Sequence, residues 1–186
     1  MSARLNEANI NKAANILKTG GVVVFPTDTV YGIGCRWDFP KSVERIHEIK
    51  GTPKTQAFPA LVSSVKQAQK IAQITPIARQ LMAKFWPGGL TVILSFRYSI
   101  SKIGLRMPDS DLVQKLIKEA GAPIIGTSAN LHGKPVVKTS KELDRQLIKK
   151  VDYVLEGECD GGVESTVVDT TVDPFKVVRQ GAVNLS

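Results

Sequence analysis

The chain has 186 residues, 42% of them hydrophobic, enough to bury one core and short for two ordinary domains, so one domain over residues 1–186 is expected. Its formal net charge of +8 suits a polyanionic partner such as ATP or RNA, while an aromatic content of 6% is low for a protein that stacks single-stranded bases on exposed rings. The longest apolar run, Gly21 to Pro26, is far below a membrane span, and MSARLNEANINKAANILK lacks an apolar signal core, which points to the cytoplasm. Cys35 and Cys159 stand apart without a CxxC spacing, and His47 and His132 are the only histidines, so a disulfide framework, a structural zinc site and a His-based triad are disfavoured.

In chain order, Ile10, Ala13, Ala14 and Leu17 recur at helical spacing within Leu5 to Lys18, and Gly20-Gly21 ends that helix. GVVVFP is too apolar to alternate and reads as a central strand covered on both faces, turning at Pro26 into TDTVYGIG. Val43, Ile46 and Ile49 form one face of a helix over 41–50 that delivers Lys50 to its end. After the loop GTPKTQA and the apolar FPALV, Pro76 opens a helix with Thr75 as its cap, broken by WPGG, and TVILSF reads as a strand. Ile103 to Met107 is a short strand, DSDLVQKLIKEAG a capped helix with a glycine stop, and APIIGTSAN a strand running into a loop. TSKELDRQLIKK begins as a capping-box helix, and VDYVLE, STVVDTT and FKVVRQG read as three strands. Helix-linked strands mixed with hairpins predict one twisted, mixed α/β sheet with flanking helices.

Candidate chemistry gathers where strands end. Thr27, Asp28, Thr29 and Tyr31 follow a buried strand, where open α/β sheets bind ligands, although the same residues also satisfy turns. Lys50 and Lys54 flank Gly-Thr-Pro; they can hold phosphate or complement the helix's negative end. Ser128 and Asn130 of GTSAN offer non-titrating donors and acceptors. In GGVESTVVD the glycines allow close approach to a ligand before Ser165, and Glu164 is read first as the ion-pair partner of a lysine and second as a general base. Arg106 and Arg179 close two apolar strands with donor forks suited to phosphate or carboxylate. His47 is assigned to structure, and Cys35 is not promoted to nucleophile.

Seven segments in order (FPTDTVYGIG, IKG-P, FWPGGLTVIL, GLRMPD, APIIGTSAN with HGKP, GVESTVVD and VVRQGA) resemble the YrdC/TsaC family of threonylcarbamoyl-AMP synthases in its single-domain form. The resemblance implies a mixed sheet around a basic cavity, in which L-threonine, bicarbonate and ATP give threonylcarbamoyl-AMP and pyrophosphate for the N6-threonylcarbamoyladenosine of tRNA. It implies Thr27, Arg106 and Ser165 around threonine, and Lys50, Lys54, Ser128, Asn130 and Arg179 around ATP, with Lys50 as the catalytic cation and Mg2+ arriving with ATP. It also implies hand-over of the product to the threonylcarbamoyl transferase machinery, and a contact with tRNA. The chain departs from the family's Lys-x-Arg pattern at Thr52, and Val136 replaces a frequent serine. A lost charge-assisted contact of about 1.5–3 kcal/mol would cost roughly tenfold to a hundredfold. Two rival readings are a non-catalytic double-stranded RNA or tRNA-binding module and a paralogue that handles carbamoyl-AMP.

Overall fold

The computed structural model describes residues 7–185. The first helix, α1 (Glu7–Lys18), buries Ile10, Ala13, Ala14 and Leu17, the stripe that the spacing predicts; Leu5, the first residue of the expected helix, lies outside the described residues. Strand β1 (Val23–Phe25) is followed by β2 (Gly32–Arg36) and α2 (Pro40–Lys50), and α2 stops at Gly51 in the left-handed region. Next come β3 (Ala60–Leu61), α3 (Val65–Ile71) and α4 (Pro76–Phe85); Thr75 caps α4 by accepting from the Ala78 amide at 3.2 Å, as expected. Strands β4 (Leu90–Ser95) and β5 (Lys102–Arg106) form a hairpin, and α5 (Asp111–Ala120) runs between its Ser110 cap and Gly121. The rest is β6 (Ile124–Ser128), α6 (Arg145–Ile148), β7 (Tyr153–Val154), β8 (Thr166–Asp169) and β9 (Lys176–Arg179).

Among the described residues the strands join one mixed sheet in the order β7-β1-β2-β6-β3-β5-β4-β8-β9. Three of its pairings are parallel: β1 with β7, β3 with β5, and β4 with β8. Helices cover both faces. Val23 and Phe25 pack with α1 and α5, whereas Val22 and Val24 join the larger core that includes Ile46 and Ile49 of α2 and Met82 of α4. This period-two division explains why the run from Val22 to Phe25 is apolar throughout.

Two expectations need correction, and one strand is added. β1 is covered on both faces but lies second from one end of the sheet, not at its centre. The turn expected at Pro26 leads into a strand that the sequence reading leaves unassigned: GIGCR, paired with β1 and β6. The helix expected over 139–150 divides in two. Thr139 and Glu142 form the predicted capping box, but around only one turn, Ser140–Glu142. Asp144 then caps a new start by accepting from the Gln146 amide at 2.7 Å. Leu143 and Asp144 are extended between the two turns.

Candidate functional site

The turn after β1 is organised by one hydroxyl. Thr27 Oγ1 donates to the Val30 carbonyl at 2.8 Å and accepts from the amides of Thr29 and Val30 at 3.1 and 3.3 Å. A hydroxyl has one proton and two lone pairs, so Thr27 is saturated. Its neighbour Thr29 Oγ1, 3.0 Å away, accepts from Arg106 Nη1 at 2.9 Å, and its own proton remains available.

Arg106 arrives from the end of β5, and 78 residues separate it from Asp28, its ion-pair partner at 2.6 Å. Its Nε donates to the Gly88 carbonyl at 3.0 Å. Three of five N–H donors are thus fixed, leaving one on each terminal nitrogen. The side chains are 8% and 10% exposed, so desolvation is the largest effect on Arg106, lowering its pKa; Asp28 opposes it and Arg179 adds to it.

These groups open onto a cavity of about 460 Å³ between β5, β4, β6, β8 and β9. Thr27, Arg106, Ser128, Ser165 and Arg179 all lie on its wall, as does Thr29. The rest is largely apolar, with Phe25, Val30, Phe58 and Leu61 among its residues. On the far side, Ser165 Oγ and Thr91 Oγ1 are 2.8 Å apart, and Arg179 donates to the Ser165 carbonyl at 2.9 and 3.1 Å and to its hydroxyl at 3.2 Å. Arg179 also meets Glu164 at 3.1 Å, which makes arginine, not the expected lysine, the partner of that carboxylate. The expected basic character is therefore partly masked. Each cation on the wall has an acid: Arg106 with Asp28, Arg179 with Glu164 and Lys102 with Asp169.

Lys50 stands behind this wall, not on it. Its ammonium donates to the carbonyls of Ser128 and, at 2.7 Å, Asn130, and lies 3.3 Å from Asn130 Oδ1. All three of its protons thus have acceptors within the Ser-Ala-Asn loop. Burial pushes its pKa down to about 8, with Glu164 opposing the shift. Asn130 faces a second hollow beside Lys134 and Glu142. Lys54 is exposed and pairs with Glu44 at 3.6 Å, away from the cavity. Thr52 is turned inward, 7% exposed, and its hydroxyl has no partner among the described residues; His47 Nδ1 shares that condition while its ring stacks on Phe58 at 4.1 Å. The loop over 51–57 accordingly brings Gln56 and Ala57, but no cation, to the wall. Sequence reasoning placed Asp28 and Thr29 at a strand's end as ligand-binding or turn residues without assigning them Arg106, and missed Thr91, which sits inside a strand with no signal but its hydroxyl.

The sequence matches the model of the Sua5/YciO/YrdC family, described as "Telomere recombination", over residues 15–181. The chain belongs to that family. It is 34% identical to the threonylcarbamoyl-AMP synthase of Photobacterium profundum, covering 93% of this chain and 99% of that one. Sua5 of Pyrococcus abyssi, solved in complex with L-threonine, superposes with a TM-score of 0.91 at 33% identity, over 97% of this chain and 56% of that chain. Escherichia coli YciO superposes at 0.89 with 29% identity, over 97% and 92% of the two chains. The chain spans about half the length of the first curated relatives it matches, 55% and 56%. The mixed sheet with flanking helices is therefore the family's fold. Among the described residues no helix is long and apolar enough to cross a membrane.

Proposed function

We propose that the chain makes L-threonylcarbamoyl-AMP and pyrophosphate from L-threonine, bicarbonate and ATP. The observation that carries this reading is the convergence of Thr27, Arg106, Ser128, Ser165 and Arg179, from five separate segments, on one cavity in a chain of this family. The likeness to relatives named for this activity, and to a neighbour solved with L-threonine, supports it.

In this reading the threonine amine captures the carbon of bicarbonate with loss of water. A carbamate oxygen then attacks the α-phosphorus of ATP, and pyrophosphate leaves. No covalent enzyme intermediate is required; the work is to gather anions and orient them. The two unused N–H groups of Arg106 take the threonine carboxylate, with Thr29 beside them. Thr27 shapes the turn through its saturated hydroxyl. Ser165 stands with Arg106 at the threonine, Arg179 and Ser128 face the phosphates, and Lys50 acts through the Ser128–Asn130 loop that it holds. Lys54 reaches ATP only by leaving Glu44. Mg2+ is assigned to the ATP as part of the substrate.

The reading extends to a cytoplasmic setting, with hand-over to a threonylcarbamoyl transferase and tRNA contact. The exposed cations Lys134, Lys138, Lys141, Arg145, Lys149 and Lys150 would serve that contact. The test is incubation of the pure protein with ATP, threonine and bicarbonate, with mass detection of threonylcarbamoyl-AMP. The expected product appears only when threonine is present, and falls sharply in Arg106→Met. Carbamoyl-AMP formed when a carbamoyl donor replaces threonine and bicarbonate would favour the carbamoyl-AMP reading, and no pyrophosphate above an Arg106→Met control would reject synthesis.

A further inference from the structure

Arg106 can take the carboxylate of an amino acid, but nothing above accounts for its ammonium. Two acids lie on the cavity wall, Glu164 and Asp169. Asp169 is spent: Oδ2 accepts from Lys102 at 3.0 Å, and Oδ1 from the amide and hydroxyl of Thr171 at 2.9 and 2.6 Å. Glu164 uses only Oε1, on Arg179 at 3.1 Å; Oε2 has no hydrogen-bond partner among the described residues. Its field reaches the ammonium of Lys50, behind the wall.

Glu164 and Arg106 line the same cavity from neighbouring parts of the sheet. Thr91 on β4 pairs in register with Arg106 on β5, and the next strand across is β8, which Glu164 and Ser165 precede. Val167 of β8 is the residue two strand spacings, roughly 10 Å, from Arg106; Glu164 lies three residues before it, and both long side chains line the same cavity. Thr91 and Ser165 hydroxyls bridge the interval. The charge balance agrees. Every cation on the wall is matched by an acid, which favours a zwitterion over a simple anion at the Arg106 end.

We propose that Glu164 is the specificity residue that binds the α-ammonium of the amino-acid substrate, while Arg106 takes its carboxylate. The assignment rests on the threonine reading above and deepens it. Glu164 excludes carboxylates that lack an amine, which would occupy the cavity without reacting.

The experiment is calorimetric titration of the wild type and Glu164→Gln with three ligands: L-threonine, 3-hydroxybutanoate (threonine without its amine) and a non-hydrolysable ATP analogue. Glutamine keeps an oxygen for Arg179 and removes only the charge, and the half-exposed site tolerates it. The variant is expected to lose about tenfold in threonine affinity, the worth of one charge-assisted hydrogen bond. It should bind 3-hydroxybutanoate as well as or better than the wild type, and the nucleotide no more weakly, because a neutral amide holds Arg179 less tightly than a carboxylate does. Threonine binding within threefold of wild type would overturn the proposal while leaving the threonine reading intact. Parallel losses for all three ligands would mark Glu164 as structural and overturn it too. A wild type that binds the nucleotide but not threonine would overturn both.

Discussion

Replacing Asp28 with alanine should destabilise the fold strongly. The substitution leaves the Arg106 guanidinium 8% exposed and without its counter-ion at 2.6 Å. Breaking a buried pair from one side costs about 3–5 kcal/mol, since the surviving charge keeps its desolvation penalty. For a chain of this length about 2–4 °C of melting temperature goes with each kcal/mol, so a fall of roughly 6–20 °C is expected by calorimetry. The partner change, Arg106→Met, strands Asp28 and also removes donors from Thr29 Oγ1 and the Gly88 carbonyl. The double variant Asp28→Ala with Arg106→Met carries neither charge and loses chiefly those two neutral bonds, about 1–2 kcal/mol. The cycle should therefore show a coupling of at least about 2 kcal/mol. Strict additivity, or a fall below about 1 kcal/mol in Asp28→Ala, would refute the claim that this pair is buried and mutually compensated.

Three other outcomes follow from the same geometry. Lys50 in the fold titrates at about 8, below its ordinary 10.5, so between these values the unfolded chain holds more protons. The stability of the wild type relative to Lys50→Met should then be flat below pH 7 and rise by roughly 2–3 kcal/mol from pH 8 to 10.5, read by urea denaturation. Thr52→Val removes a buried hydroxyl without a partner and should be neutral or stabilising by up to about 1 kcal/mol, whereas Thr52→Arg forces a cation into the core and should cost about 3 kcal/mol or more without raising pyrophosphate release. Gly181→Ala would set a methyl 2.3 Å from the Glu164 carbonyl and 2.6 Å from that of Ser165, so nucleotide affinity should fall at least about tenfold, by calorimetric titration, as Arg179 loses its seat on Ser165.

Elements with strong local punctuation were legible from the sequence. α4 follows from Thr75 and Pro76, and α5 lies between Ser110 and Gly121. β2 was not legible, because two glycines in five residues carry little strand propensity, and their reason is tertiary: a Cβ on Gly34 would sit 2.3 Å from the Ile125 carbonyl of β6. Helix α3 is short, and its Ser64 cap lies in a polar run that reads as loop. At the site, residue types at strand ends were readable but pairings were not. Nothing local joins Asp28 to Arg106, 78 residues on, or turns Thr52 into the core while Lys54 stays on the surface.

The pairing of every wall cation also decides which end of the cavity can receive phosphate. An incoming polyphosphate must take a cation from its acid, and the three pairs differ in what that costs. Arg106 and Asp28 are about nine-tenths buried, so separating them exposes two unscreened charges in the core, a penalty of several kcal/mol. Arg179 and Glu164 are 44% and 37% exposed, a class of pair worth no more than about 1 kcal/mol. A phosphate can repay that cost with a single charge-assisted bond of about 1.5–3 kcal/mol, but it cannot repay the first. Arg106 must therefore keep Asp28 and offer only its two spare N–H groups, enough for one carboxylate, while Arg179 exchanges Glu164 for the nucleotide. That exchange frees Glu164 as the nucleotide arrives. The carboxylate proposed to hold the ammonium would then be available in full when the second substrate is present, and threonine should bind more tightly in the presence of the ATP analogue than in its absence.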